Sequence, residues 1–271
     1  MTRVLTVLGT RPEIIRLSLT IAALDRACDH HVVYTGQNAD PRLSDVFFDE
    51  LGIPKPDYHL EAGGGSHATH WYPPLNRIAK HRGWRLLTAV KGNCRFLTGP
   101  FGDDEGGRSC RSWIDDLLRL IERDPPDFII TTSTVTHPQG ERVPPGYVSM
   151  WRKLDRLGIP VVAIRDTPRG RINRVDCLAE HTRDIEACDI ARSPAMDAVD
   201  PASLLKLPGN VILVDVTDYL CTPEVCPAVV GNVVVYRDRH HLTGTYALTL
   251  SPMLADQIPR DPPAVYRAAN P

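Results

Sequence analysis

Short apolar runs alternate with amphipathic segments over most of the chain. The first run, RVLTVL at residues 3–8, is of the buried-strand type, and the apolar-periodic segment at 14–27 predicts a helix. Strands alternating with helices predict an α/β fold, in which helices cover both faces of a parallel sheet and the active site lies at the carboxyl ends of the strands. Beyond residue 69 the pattern predicts helices at 71–82, 113–123, 148–157, within 177–192 and at 244–254, and strands at 85–90, 127–132, 159–164 and 211–216. A turn is expected at 91–94, and a loop at 101–108 because of its Gly and Asp residues.

The first sixty residues predict a separate unit, a partial Rossmann-like βαβα arrangement. A second strand is expected at 31–34 and a second helix at 43–51. Between the first strand and its helix lies GTRPE, in which Gly9 frees the turn and Pro12 suits the first helical position. The exposed amino terminus of that helix could hold a phosphate.

The stretch VVVYRDRHHLTGTY at residues 233–246 places a carboxylate and an imidazole in one short polar turn behind an apolar run. Asp238 and His241 stand three residues apart. With that spacing the carboxylate can fix the tautomer of the ring and leave the far nitrogen to take a proton from a nucleophile. The alternative is a surface turn that leads into a helix.

A longer stretch, DYLCTPEVCPAVVGNVVVYRDRHHLT at residues 218–243, resembles the closing block of the SGNH domains attached to bacterial membrane O-acyltransferases of the acyltransferase-3 type. RDTP at 165–168 is a loop also typical of that family. In that family the closing Asp and His serve a Ser in an early GDSHA motif. This chain reads GGSHA there, so Ser66 matches the nucleophile and Gly65 replaces the Asp. The resemblance implies a three-layer α/β/α fold of the SGNH or flavodoxin-like kind.

The same resemblance implies acyl transfer through a covalent intermediate. Ser66 attacks an ester carbonyl, His241 acts as general base and Asp238 orients the ring. The backbone N–H of Gly92 and the side chain of Asn93 are candidates for the oxyanion site. Ser66, Gly92 and Asp238 all fall at or just beyond predicted strand ends, and loss of the Asp before Ser66 predicts reduced activity. The neighbouring His67 and His240 are expected to be structural or surface residues.

The beginning of the chain resembles a different family, the non-hydrolysing UDP-N-acetylglucosamine 2-epimerases. The segments GTRPE, TGQN and LSDVFFDELGIPKPDYHL carry this resemblance, which covers about the first 68 residues. It implies a role in nucleotide-sugar binding for Arg11 and Gly9, and less securely for Gln37 and Asn38. A solvated turn residue is the alternative for Arg11. Nothing after Ala68 matches the catalytic part of that family, so we expect no epimerase reaction.

The chain therefore changes families near Ser66, because the segment SHA suits both patterns. We expect an epimerase-like unit at 1–62, an SGNH-type domain at 63–256 and a Pro-rich tail at 257–271. The strand that precedes the GDS motif in the SGNH family is replaced by YHLEA at 58–62, which makes at most a weak strand. Either an early element such as residues 4–8 replaces it, or the domain carries a defect of several kcal/mol.

Seven cysteines suggest an oxidising compartment. Six lie after residue 90 and suggest three local pairs, and Cys28 is left over. A zinc site built from Cys221, Cys226, His240 and His241 is the rival hypothesis, which the absence of a C-x-x-C motif disfavours. No metal or cofactor is otherwise expected. The expected pairs are Cys94 with Cys110, Cys177 with Cys188, and Cys221 with Cys226.

Composition limits the remaining choices. The formal net charge is -2, which gives no reason to expect nucleic acid or an anionic membrane as a partner. No apolar run approaches a membrane span and no signal peptide is evident, which predicts a cytoplasmic chain, whereas the cysteines and the SGNH resemblance predict the periplasmic side. Three hypotheses remain: an acyltransferase or esterase for a cell-envelope glycan, served by a membrane acyltransferase domain in trans; a UDP-binding remnant; or an inactive chimera.

Overall fold

A computed structural model describes residues 3–8, 11–34, 50–51, 58–59, 66–91 and 93–263. The chain divides into two compact units, and we describe each by itself. The first unit comprises Met1–Thr69 with Thr88–Arg95, and the second comprises His70–Leu87 with Phe96–Pro271. The described part contains no helix long and apolar enough to cross a membrane.

In its described residues the first unit contains a small parallel sheet beside one long helix. Strands β1 (Arg3–Leu8), β2 (Asp29–Tyr34) and β3 (Tyr58–His59) lie in the order β1-β2-β3, and helix α1 (Arg11–Ala27) connects the first two. The helix buries Ile14 and Ile21 with Val32 of β2, because apolar residues seven apart share one helical face. The predicted strand, helix and strand are confirmed, and most of the predicted helix at 43–51 lies outside the described residues.

The weak strand expected at 58–62 belongs to this first sheet. Its two described residues pair in parallel with Val33 and Tyr34 of β2. Strand β1 pairs with β2 over six residues, so its described ladder partner lies in the same unit. The proposed recruitment of residues 4–8 into the downstream sheet is therefore wrong. A strand beside a close sequence neighbour costs less chain entropy than one recruited across a long loop.

The sheet of the second unit has three parallel strands. These are β4 (Ile129–Thr132), β7 (Val161–Ile164) and β9 (Val211–Val214), in the order β4-β7-β9. Strand β7 is central and buried along its whole length, as its uninterrupted VVAI run predicts. The three predicted strands are confirmed, each slightly shorter than expected.

The strand predicted at 85–90 is wrong, since residues 84–90 form no regular structure. The apolar side chain of Leu87 is 68% exposed, and Arg85 bonds to Asp124 at the surface. An apolar run becomes a strand only when a neighbour pairs its backbone, and no ladder partner is described for this one.

Helices cover both faces of this sheet, which gives the predicted three-layer arrangement. Alternate residues of β7 point to opposite faces. Val162 and Ile164 lie in one core cluster with helices α3 (Tyr72–Arg82), α8 (Gly244–Thr249) and α9 (Ser251–Gln257). Val161 and Ala163 lie in the other, with helices α4 (Glu105–Arg123) and α5 (Pro145–Arg156).

The start of α4 and the closing helix differ most from the prediction. Residues 101–108 were expected to be a loop, but α4 begins at Glu105, because the Oδ1 atom of Asp104 accepts the backbone N–H of Gly107 at 2.8 Å. A Cβ atom at Gly107 would lie 1.8 Å from the carbonyl oxygen of Gly102, so this glycine permits a close approach and does not mark a loop. The predicted closing helix is two helices that meet at Leu250.

The remaining elements are short. The helix expected within 177–192 is a short helix at 174–180 followed by a 3-10 turn and a strand, and the other described elements are hairpins and turns. They are α2 (Ser66–His70), β5 (Val135–His137), β6 (Gly140–Arg142), α6 (Arg174–Glu180), β8 (Ile190–Ala191), α7 (Arg192–Ala195), β10 (Val225–Cys226), β11 (Val229–Val230), β12 (Val233–Val234) and 3-10 turns at Ile185–Cys188, Pro201–Leu204 and Thr217–Tyr219.

Candidate functional site

The closing turn is a tight loop held at its base. Tyr236 and Leu242 form a β-bridge, both are buried, and the backbone N–H of Arg237 donates to the carbonyl of His241 at 2.9 Å. Thr243 then caps α8, its hydroxyl oxygen accepting the N–H of Tyr246 at 3.1 Å. The segment is therefore a turn that leads into a helix, and it also has the polar contacts described next.

The turn brings Asp238 and His241 together. The Oδ2 atom of Asp238 lies 2.6 Å from Nδ1 of His241, and its Oδ1 atom accepts the backbone N–H groups of His240 and His241, each at 2.9 Å. A carboxylate in this position makes Nδ1 the protonated nitrogen of the ring, so Nε2 carries the lone pair. The side chain of His241 is 13% exposed and that of Asp238 is 36% exposed.

The environment keeps Asp238 ionised. Burial acts to raise the pKa of this carboxyl group, but hydrogen bonds from the ring of His241 and from the backbone N–H groups of His240 and His241 outweigh burial and lower the pKa well below its ordinary value. The ring of His240 lies 3.9 Å from that of His241, centroid to centroid, and the ring of His70 lies 6.3 Å away. The turn thus holds the negative charge of Asp238 against Nδ1 of a mostly buried imidazole.

A second loop supports this turn from the backbone side. It is the loop 165–174, which runs from the carboxyl end of β7 to the first residue of helix α6. The hydroxyl of Thr167 donates to the carbonyl of His240 at 2.7 Å, and the N–H of Gly170 donates to the carbonyl of Arg239 at 2.9 Å. Nη1 of Arg174 donates to the same Arg239 carbonyl at 3.0 Å. The sequence indicated only that 165–168 is a loop typical of the family, and the support it gives to the turn was missed.

The start of that loop is fixed by charged side chains, most of them buried. The guanidinium of Arg165 contacts Glu141 at 2.7 Å and Asp215 at 2.9 Å. Burial acts to lower the pKa of Arg165, but its bonds to these two carboxylates outweigh burial and raise the pKa. The next residue, Asp166, accepts the N–H and hydroxyl of Thr136 at 2.8 and 3.0 Å. Polar side chains therefore collect at the carboxyl ends of the parallel strands, as the fold class predicts.

Asp238 itself does not follow a strand of the parallel sheet. It lies beyond β12, which pairs with β11 in an antiparallel ribbon. Gly92 was expected after the strand at 85–90, which is absent. The expectation that these residues lie at parallel strand ends is wrong for both. For Asp238, the loop that leaves β7 makes the link between the sheet and the turn.

The other predicted catalytic residues belong to the first unit. Ser66 is the first residue of α2, and its side chain lies outside the described residues. Gly92 also lies outside them. Asn93 is exposed and takes the left-handed conformation, with φ of 55°, in the turn closed by the bridge of Lys91 with Cys94. That turn at 91–94 was predicted and is confirmed.

Of the predicted nucleotide-binding residues, only Arg11 has a described backbone, at the start of α1. Its side chain lies outside the described residues, as do Gly9, Gln37 and Asn38. Their role in binding stays a prediction.

The cysteines agree with an oxidised protein. Cys177 pairs with Cys188, and Cys221 pairs with Cys226. Cys94 and Cys110 are also in disulfides, and Cys28 is a free thiol. The zinc hypothesis is wrong, because Cys221 and Cys226 are bonded to each other and have no thiolate to offer a metal.

A family comparison identifies the larger part of the chain. Residues 63–256 match the model of the SGNH domain (fused to AT3 domains), which is more than two thirds of the 271 residues. The chain belongs to the SGNH domain family. The resemblance carried by the closing stretch is thereby confirmed.

A solved structure supports the fold of the SGNH domain. The periplasmic domain of the lipopolysaccharide acetyltransferase of Salmonella ser. Paratyphi A superposes with a TM-score of 0.50 at 16% identity, over 71% of this chain and 78% of that chain. At this identity the likeness concerns the fold alone, and it agrees with the α/β architecture described above.

The second resemblance is also confirmed, over a shorter stretch. The UDP-2,3-diacetamido-2,3-dideoxy-D-glucuronate 2-epimerase of Pseudomonas aeruginosa is 42% identical over 67 residues, and the UDP-N-acetylglucosamine 2-epimerase of Methanocaldococcus jannaschii is 45% identical over 75 residues. The matches cover 24% and 27% of this chain but only 19% and 20% of those enzymes. The chain thus spans about a fifth of the length of the curated relatives it matches.

Proposed function

We propose that the SGNH domain of this chain is a serine acyltransferase or esterase that acts on acyl esters of cell-envelope glycans. The observation that carries the proposal is the 2.6 Å contact between Asp238 and Nδ1 of His241, in a chain of the SGNH family. That contact gives the ring the tautomer that a general base needs, with Nε2 as the proton acceptor.

The proposed reaction has two steps. In the first, Oγ of Ser66 bonds to the ester carbonyl carbon while its proton passes to Nε2 of His241; the tetrahedral intermediate then expels the alcohol, which takes that proton. In the second, a glycan hydroxyl or water gives its proton to Nε2 and attacks the acyl-Ser66 carbonyl, and Ser66 recovers the proton on leaving. Asp238, kept ionised by its hydrogen bonds, stabilises the imidazolium in both steps.

The developing oxyanion needs preorganised donors. We assign this role to the backbone N–H groups of Ser66 and Gly92, with the side-chain amide of Asn93 as a further donor. Gly65 stands where the family pattern has Asp. Because Asp238 already supplies a carboxylate to the base, we expect Gly65 to weaken the nucleophile turn and not to abolish proton transfer.

The acyl donor is proposed to come from a membrane acyltransferase domain. The matched family is described as fused to AT3 domains. The disulfides favour an extracytoplasmic location for the domain. The solved relative is itself a periplasmic domain of a lipopolysaccharide acetyltransferase. Without the donor domain the acyl group would pass to water, so the isolated chain is expected to act as an esterase.

A fluorophosphonate probe tests the proposal on the full chain. Peptide mapping should find the label on Ser66, and both Ser66→Ala and His241→Ala should abolish labelling. Matched controls are Ser112→Ala and His81→Ala, which change exposed helical residues outside the site and should leave the labelling rate unchanged. An unlabelled but folded wild-type protein, or labelling that survives His241→Ala, would refute the proposal.

UDP binding by the first unit is the second candidate function. The observation that favours it is the 42–45% identity of the amino-terminal stretch to two UDP-sugar 2-epimerases. Isothermal titration with UDP should detect binding that Arg11→Ala weakens. Since the chain spans only about a fifth of those enzymes, we propose binding without epimerisation. A chain with neither labelling nor UDP binding would be an inactive chimera.

A further inference from the structure

The backbone between Asp238 and His241 is held by three hydrogen bonds from the loop 165–174. All three end on two consecutive carbonyls, those of Arg239 and His240, and the donors are Thr167, Gly170 and Arg174. These carbonyls belong to the only two residues between the carboxylate and the imidazole. Whatever fixes them therefore fixes how the carboxylate and the ring face each other.

Arg174 is unusual among these donors because it is a charged side chain and is fully buried. Its exposed fraction is 0%, although arginine is rarely buried without a carboxylate partner. Its guanidinium carbon lies 3.7 Å from the ring centroid of Tyr236, a cation–π contact, and Nη1 donates to the Arg239 carbonyl. Tyr236 begins the turn and Arg239 lies at its centre, so one side chain clamps two points of the same turn.

The charge of Arg174 also acts on the site. Burial lowers the pKa of Arg174, and the negative charge of Asp238 is among the groups that raise it again. By reciprocity, the buried cation favours the ionised form of Asp238. Arg174 makes no carboxylate ion pair within the described residues, and a buried guanidinium without such a pair costs stability. Its contacts with the turn and its effect on Asp238 give a reason for a charged residue at this position.

We propose that Arg174, together with Thr167, positions the Asp238–His241 pair by clamping the turn carbonyls between them. The inference rests on the proposed function, and it makes Arg174 and Thr167 positioning residues that touch neither substrate nor the reacting atoms. Loss of the clamp lets the turn relax, and displacements of about 1 Å at a catalytic group cost about 100-fold in rate.

Two readouts on the full-length protein test this. The first is the low-field proton NMR resonance of Nδ1–H of His241 against Asp238, which reports the pair without any need for activity and is assigned by its loss in His241→Ala. The second is the rate constant of fluorophosphonate labelling at Ser66, separated from probe affinity. We expect Arg174→Met to broaden or remove the resonance and to slow labelling about 100-fold without a matching loss of probe affinity. Arg174→Lys, which keeps the charge but loses the planar fork, should fall between wild type and Arg174→Met.

Arg192→Met is the matched control. Arg192 also donates to a backbone carbonyl, that of Thr222 at 3.2 Å, but it makes no described contact with the turn. Both readouts should stay at the wild-type level. Thr167→Val serves if Arg174→Met does not fold, since it removes the hydroxyl bond to the His240 carbonyl and keeps a side chain of similar shape, and we expect a loss of about tenfold, about 1.4 kcal/mol.

The outcomes separate the two proposals. A wild-type resonance without labelling would refute the proposed function, and loss of that resonance in Arg174→Met or Thr167→Val would still support the clamp. If folded Arg174→Met keeps both the resonance and a labelling rate within about threefold of wild type, the clamp is overturned. If Arg174→Met is unfolded, a Thr167→Val protein that keeps both the resonance and the labelling rate also overturns the clamp.

Discussion

Replacing Asp238 by asparagine isolates one function of the carboxylate. The carboxylate now makes three hydrogen bonds, two from backbone N–H groups to Oδ1 and one from the ring of His241 to Oδ2. Asparagine keeps the Oδ1 acceptor, so the turn should persist. It puts an NH₂ group where Oδ2 was, and that group donates to Nδ1 and so shifts the ring proton to Nε2.

The expected cost follows from that change of tautomer. With its proton on Nε2 the ring cannot accept one from Ser66, and the imidazolium loses its neighbouring negative charge. The equivalent substitution in serine proteases lowers the rate about 10⁴-fold, or roughly 5 kcal/mol in activation free energy. We expect a fall of that order in labelling, and a loss in unfolding free energy of only about 1.5–3 kcal/mol from the charge-assisted bond.

The assay is the second-order rate of fluorophosphonate labelling at Ser66, with the unfolding free energy measured by urea titration on the same samples. Asp218→Asn is the control, because it makes the same chemical change at an exposed residue of the closing stretch. A folded Asp238→Asn protein labelled within about tenfold of wild type would refute the idea that Asp238 sets the tautomer of the base.

Three further predictions concern stability. Replacing Cys177 and Cys188 by serine removes a disulfide that joins two residues 11 positions apart in the sequence. We expect the unfolding free energy from urea titrations to fall by about 2.8 kcal/mol, and an unchanged unfolding midpoint would contradict this. Gly146→Ala places a Cβ atom 2.0 Å from the carbonyl oxygen of Thr98, so we expect the unfolding free energy to fall by about 1–3 kcal/mol. Calorimetry should show a lower melting temperature, and a melting temperature equal to that of wild type would refute this prediction. Hydrogen bonds lower the pKa of Asp238 in the folded protein, so its contribution to the unfolding free energy is complete at neutral pH and is lost as the pH falls below about 4. The difference in unfolding free energy between wild type and Asp238→Asn should therefore be smaller at about pH 3 than at about pH 7. A difference that does not change with pH would contradict this prediction.

Strand and helix positions followed from local pattern wherever burial was complete. The run VVAI in β7 has no polar residue and could hardly be anything but a buried strand, and it is the centre of the sheet. The run at 85–90 is also mostly apolar but lacks a described partner strand, and Leu87 remains exposed. The start of α4 was missed because Gly106 and Gly107 suggested a loop, whereas a cap and a close backbone approach explain Gly107.

Within the candidate site, too, local features could be predicted from the sequence and contacts between distant residues could not. The pairing of Asp238 with His241 needs only a three-residue turn, so its spacing was visible in the sequence. Arg174 is 65 residues from Arg239 in the chain, and Thr167 is 73 residues from His240. No local spacing connects them, and an arginine in the first turn of a short helix gives no sign of being fully buried.

The sequence by itself therefore determined the local features: the amphipathic periods, the Asp-x-x-His spacing, the cysteines suited to pairing, and the change of family near Ser66. The tertiary structure alone decided which strands share a sheet and which loop supports the closing turn. The physical reason is that the spacing of apolar residues along a segment shows which of its faces is buried, whereas the segment that packs against that face can be distant in the chain and is set by the packing of the whole core.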